Sequence, residues 1–192
     1  IQGSMEDEKG EILNLFEITG DGKYLYISRT KYGLLDRVGR QNMFSHAFIL
    51  PCKDSKFISD PNNFLTIADK NYKYSEEDAD FEKQDIVRNL DFNLKTALQV
   101  CNLSDELYVT LIRCVYTQFF SNKKISKPLF IQYDGTKEQI QNLLFCIYSG
   151  IPLSMRRKLS IASNTTPNLM GKNIIFSTDA KSKEVYVIPS TG

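Results

Sequence analysis

Two periodicities divide the chain. Up to about residue 50 apolar residues alternate with polar ones or form short β-rich runs; from residue 89 onward they recur every third or fourth position. Residues 11–19 alternate imperfectly and predict a strand. Gly20-Asp21-Gly22 predicts a tight turn, because glycine takes up positive φ without steric cost. Residues 24–28 predict a second strand, so 11–28 reads as a hairpin. Residues 43–50 predict a third, ended by Pro51, which has no N–H to give to a ladder. Alternation puts Phe44, His46, Phe48 and Leu50 on one face of that strand and Met43, Ser45, Ala47 and Ile49 on the other. Both sets are largely apolar, which predicts a central strand covered on both sides. Between the second and third strands, residues 29–40 read as a basic, glycine-bearing loop.

The helical part begins with Leu90, Leu94, Ala97, Leu98 and Cys101 at helical spacing. Ser104 is a candidate N-cap for a second helix, with Asp105 and Glu106 in the first turn, where carboxylates suit the helix dipole. Leu107, Leu111, Cys114, Val115 and Phe119 form its apolar stripe. Residues 128–133 predict a strand. Thr136 and Gln139 form a capping box for the helix that carries Ile140, Leu143, Leu144 and Ile147, with Gly150 fitting the position after its end. A helical turn follows Pro152, then strands at 159–162, 173–177 and 184–188. Strand, helix and strand within 129–162 resemble a βαβ unit with parallel strands. Residues 53–80 are polar and irregular, anchored only by Phe57-Ile58 and the run from Phe64 to Ile67.

These elements predict a mixed α/β (α+β) fold. N-terminal antiparallel strands, a central helical pair and a C-terminal strand-helix-strand unit would pack as one core. Residues 1–4, Ile-Gln-Gly-Ser, read as a cloning scar, and 5–192 as a single domain, the N-terminal fragment of a longer protein. Twelve Phe and ten Tyr can fill the core. The net charge of +1 supplies no global field for nucleic acid or membrane, so such binding would need local clusters. No apolar run approaches the roughly 18 residues of a membrane span, and no membrane partner is expected. Cys52, Cys101, Cys114 and Cys146 stand apart, without a CxxC pair, and one histidine cannot complete a usual zinc set. No metal or cofactor is therefore expected; buried thiols point to a reducing, cytoplasmic setting.

Candidate chemistry is sparse, and no catalytic residue is assigned. Ser45 and His46 are adjacent, so on a strand they point to opposite faces and cannot pair with each other. A hydrolase centred on His46 would need a partner brought by the fold; the plainer role for His46 is a structural pin beneath the basic loop. Neither GxxxxGK[ST] nor GxGxxG occurs, which argues against NTP hydrolysis. Two basic clusters remain, Arg29, Lys31, Arg37 and Arg40 with Gly39, and Arg156-Arg157-Lys158. Arginine pairs bidentately with carboxylate or phosphate, so the clusters are candidates for an anionic ligand or for a protein partner, with nucleic acid left open.

Several motifs resemble the N-terminal domain of the GTPase-associated protein 1 family of bacterial conflict systems. They are Tyr32-Gly33-Leu34-Leu35, Gly39-Arg40, the strand Phe44-Ser45-His46-Ala47-Phe48-Ile49-Leu50-Pro51, and Ile151-Pro152-Leu153-Ser154-Met155-Arg156-Arg157-Lys158-Leu159-Ser160, with Ile174-Ile175-Phe176-Ser177-Thr178 beside it. The resemblance implies a non-enzymatic adaptor in antiviral defence, working with a GTPase encoded nearby. It implies His46, Gly39, Arg40, Arg156 and Arg157 as site positions. The middle of the chain matches no motif of that family.

Overall fold

The structure is a computed structural model and describes residues 11–18, 23–35, 38–39, 41–51, 58–65, 91–120, 128–133, 135–163, 173–177 and 185–187. The expected turn at 20–22, most of 53–80 and Cys52 lie outside them. The fold is mixed α/β. Strands Glu11–Ile18 (β1), Tyr24–Leu35 (β2), Gln41–Pro51 (β3), Leu129–Gln132 (β4), Ile161–Ser163 (β5), Ile174–Ser177 (β6) and Val185–Val187 (β7) form one sheet in the order β3-β2-β1-β5-β6-β4-β7. The β3-β2-β1-β5 half is antiparallel and the β5-β6-β4-β7 half parallel. The helices are Asn62–Leu65 (α1), Leu94–Val100 (α2), Asp105–Phe120 (α3), Lys137–Gly150 (α4) and Leu153–Arg156 (α5).

Register explains how the sheet meets the core. One row of paired positions runs Phe48, Ile27, Phe16, Ile161, Ile174, Leu129 across β3, β2, β1, β5, β6 and β4. Ile27, Ile161 and Ile174 are buried, and Phe48 and Leu129 pack against the same cluster as α4. The adjacent row, Ala47, Ser28, Leu15, Ala162, Ile175, Phe130, lies on the opposite face. Ala162, Ile175 and Phe130 are buried outside that cluster, so the parallel half is covered on both faces.

Three expectations change. First, β2 runs to Leu35, so Arg29, Thr30, Lys31 and Tyr32 belong to a ladder with β3 rather than to a loop. Charge had marked this segment as irregular. Beyond Lys31, however, β2 and β3 pair as a two-stranded ribbon with no third strand among the described residues. Gly33 is the extra residue where its register shifts. Second, β3 ends the strand order instead of lying centrally, and Ile49 is 63% exposed. Third, Gly150 is the last residue of α4 rather than the one after it. Strands β4 and β5 run parallel, as the strand-helix-strand reading expects, each paired with β6, which lies between them.

Helix α4 occupies the centre of the helical layer. Residues 142–148 are all buried, as expected only for a helix surrounded by protein. Its start is the predicted capping box: Gln139 N donates to Thr136 Oγ1 (3.3 Å) and Thr136 N to Gln139 Oε1 (2.8 Å). Gln139 also ties α4 to the end of α2, through Nε2 to Val100 O (3.2 Å) and through its carbonyl, which accepts from Cys101 Sγ (3.3 Å). Buried Asn142 is satisfied within the helix by Glu138 O (2.9 Å). Asn62 bonds both backbone groups of Phe92, whose ring stacks on Phe145 at 5.4 Å, and this fixes α1 against α4. Ser104 Oγ caps α3 by accepting from Leu107 N (3.2 Å).

The helices α3 and α4 meet closely at Gly150. A Cβ there would fall inside van der Waals contact of the Ile112 side chain and the Tyr108 hydroxyl. Glycine at a helix end otherwise costs up to about 1 kcal/mol relative to alanine. Gly150→Ala should nevertheless destabilise, by about 1–3 kcal/mol, read from the midpoint of a urea transition. A stabilised Gly150→Ala protein would show that the two helices part freely.

The core also sets a pH dependence. Burial pushes the Tyr148 and Tyr133 hydroxyls above the usual phenol range, and the Cys101 thiol beside Tyr133 adds to its shift. The bond between the two thiols raises Cys146 and lowers Cys101, so the pair acts in opposite directions. The unfolded chain ionises its tyrosines near pH 10. Around and above that pH the folded state keeps tyrosine protons that the unfolded one loses, so stability falls as pH rises. The contribution of the two tyrosines is fully present below about pH 9 and declines above it by up to about 1.4 kcal/mol per pH unit per group. Thermal melts from pH 7.5 to 10.5 should show this decline, and Tyr148→Phe should make it shallower.

Candidate interaction surface

The predicted basic residues divide between the two ends of the sheet. The last paired positions of strands β2 and β3 are Leu35 and Gln41, and Gly39 lies in the connection between them. Gly39 has φ +79° with nothing within 4 Å of where a Cβ would sit, so its requirement is conformational. Neighbouring Val38 is 71% exposed. Arg37 and Arg40 themselves are outside the described residues. Strand β5, by contrast, enters the sheet with Ile161 beside Phe16, and Phe16 pairs with Ile27. Eight ladder positions along β2, about 26 Å, separate Ile27 from Leu35. Arg156 and Arg157 precede β5 at the end of the sheet where Leu25 pairs with Leu50.

Arg156 already has protein partners. Its Nε donates to Ile151 O (3.0 Å), and one terminal nitrogen reaches Ile58 O (3.4 Å) and Ser59 O. Burial lowers its pKa, with Asp60, Tyr148 and Tyr108 acting in the other direction. It therefore staples residues 58–59 to α5. Arg157, next to it, is exposed.

Arg29 and His46 do come together. They are register partners on β2 and β3, and the row continues through Asn14 to Ser163. The His46 ring is half-buried and lies 4.9 Å from that of Phe48, tilted by 32°. This places it at the border where the apolar rows of the sheet give way to a polar one.

The surface that stripe-reading missed is on α3. Leu111 and Val115 are buried, and Leu107, Cys114 and Phe119 half-buried, as the single-stripe reading requires. A second apolar line runs along the adjacent side. Val109 is 45% exposed, Phe120 is 69% exposed, and the Tyr116 and Phe120 rings stack at 6.0 Å. Between this line and Gly150 of α4 lies a groove of about 530 Å³, lined by Tyr108, Val109, Ile112, Arg113, Tyr116 and Thr117 as well as Gly150. Tyr108 forms part of its floor, with its hydroxyl donating to Cys146 O at 3.2 Å. Among the described residues, exposed Arg113 is the one charged residue lining the groove. A signal for this line was present in the spacing of Val109, Ile112, Tyr116 and Phe120, which runs three, four and four residues.

Among the described residues no group of three His, Cys, Asp or Glu could hold a metal, and no helix is long and apolar enough to cross a membrane. Cys101, Cys114 and Cys146 are free thiols, the first and last of them buried. No family model, no curated protein and no solved structure matches the chain.

The two neighbouring arginines differ sharply in what they touch. Arg156→Gln should cost about 1–2 kcal/mol, because partly buried charge-assisted bonds to the carbonyls of Ile151, Ile58 and Ser59 are lost. Arg157→Ala should stay within about 0.5 kcal/mol of the parent. Urea unfolding of both variants checks the contrast; equal midpoints would remove the staple.

Proposed function

We propose that this chain is a non-enzymatic adaptor module that binds a protein partner through the outer side of α3. In keeping with the motifs at residues 32–50 and 151–160, the setting is a bacterial GTPase-associated conflict system, and the partner is its GTPase. The observation that carries the reading is the second apolar line of α3. Exposed Val109, half-buried Tyr116 with exposed Phe120 stacked on it, and a central Arg113 border a groove on a helix whose other stripe is already buried. Aromatic residues and arginine in a partly desolvated hollow are the composition that dominates binding energy at protein interfaces. The alternative, an anionic ligand held by Arg29, Arg40, Arg156 and Arg157 together, has less support. Arg156 is bonded to three carbonyls, and β5 and the β2–β3 turn lie toward opposite ends of the sheet.

The test is co-purification of the protein with the GTPase encoded beside it, loaded with GDP or with a non-hydrolysable GTP analogue. The parent should be retained in at least one state. Val109→Glu combined with Phe120→Glu should reduce retention at least tenfold with an unchanged melting temperature, and Arg157→Ala should leave it unchanged. No retention in either nucleotide state would overturn the reading.

A further inference from the structure

We infer that the occupant of the α3 groove is an amphipathic α-helix of the partner with a carboxylate at the middle of its apolar face. This rests on the adaptor reading and adds the kind of segment that is recognised. The groove is walled by α3 and the end of α4, both helices, whose interior backbone N–H and C=O groups are bonded within the helix. It therefore offers side-chain packing and no ladder to extend. An extended peptide lying there would have to satisfy its own backbone with water, whereas a helix arrives with those bonds made. The line Val109, Ile112, Tyr116, Phe120 spans about 17 Å, or three turns, with three- and four-residue spacings that keep it on one side of the helix, toward an incoming segment.

Charge selects between possible helices. Arg113 lies near the midpoint of the line and is the only charged residue of the lining among the described residues. A second copy of this chain docking by two-fold symmetry would set Arg113 against Arg113, a like-charge contact in a partly apolar hollow. A carboxylate opposite Arg113 turns that penalty into a charge-assisted bond and fixes the register of the incoming helix. Three turns of helix bury less than about 1,200 Å² in total, which fits a reversible, regulated contact rather than a permanent one.

The probe is a pair of synthetic 15-residue amphipathic helices identical except at one position, with a leucine stripe and either Glu or Lys at its centre. Titrated into the isotopically labelled protein, the Glu peptide should shift the amide resonances of Val109, Arg113, Tyr116 and Thr117. It should bind at least tenfold tighter than the Lys peptide. Arg113→Glu, an exposed change expected to leave the melting temperature unaltered, should reverse that order. Equal binding of the two peptides, an order that survives Arg113→Glu, or no α3 shifts at millimolar peptide overturns the inference. So does a concentration-dependent dimer in sedimentation that Val109→Lys abolishes, which would make a second copy the occupant. Retention of the GTPase with failure of the peptides would remove the helix and leave the adaptor; peptide binding without GTPase retention would do the reverse.

Discussion

Seven consecutive residues of α4, 142–148, are buried. A helix can be enclosed in this way only if every side has a neighbour and its polar groups find partners inside. The sheet supplies one side through Ile27, Ile131, Ile161, Ile174 and Phe176, which share a core with α4. The ends of α2, α1 and α3 supply the others, each fixed by a polar tie: Gln139 to Val100, Asn62 to Phe92, and Tyr108 to Cys146. These ties have a common form, a side chain bonding a backbone group from another element. A bond of this kind contributes only about 1 kcal/mol net, but an unmet buried partner costs more, so each tie specifies position more than it adds stability. The Ser160–Asn173 pair has the same form where the parallel strands begin: Asn173 Oδ1 accepts from Ser160 N at 2.8 Å, and Asn173 O accepts from Leu129 N at 2.9 Å.

How far the sequence disclosed this follows from the range of each signal. Capping is local. Thr136 with Gln139 and Ser104 ahead of Asp105 and Glu106 mark helix starts within four residues, and both are found as read. The antiparallel β1–β2 pairing is nearly local and was also legible. Strand order is non-local. Nothing in residues 129–162 announces that β6 lies between β4 and β5, because a parallel neighbour is chosen by packing across the sheet. The error at β3 has a different origin. Two largely apolar faces suggested a central strand, yet Ala47 and Ile49 lie on the face where cover fades toward the end of the strand order.

The basic residues teach the same point from the functional side. Composition alone grouped Arg29, Arg37, Arg40, Arg156 and Arg157 as equivalent cations. In the fold they divide by circumstance: Arg29 is in a ladder opposite His46, Arg156 is committed to carbonyls, and Arg157 is exposed. An arginine bonded to backbone carbonyls is recognisable only from the position of those carbonyls, and Ile58 and Ser59 are 98 and 97 residues distant in sequence.

In the proposed reading, helix α3 carries stability and recognition on different sides of one element. Its buried stripe, Leu111 and Val115, is turned by nearly half of the helix circumference from the line that holds Val109, Arg113 and Phe120. Changes on the exposed line therefore leave the core contacts intact, while the close approach at Gly150 holds the groove's two walls at a set distance. The groove is thereby preorganised. A partner that enters it has no loop to order, and the entropy that ordering would cost is absent from the binding balance. The same rigidity ties the groove to the core, since its floor residue Tyr108 bonds the carbonyl of Cys146 in the most enclosed part of α4. A change in how α4 sits, wherever it originates, has to reach the groove through that bond and through Gly150.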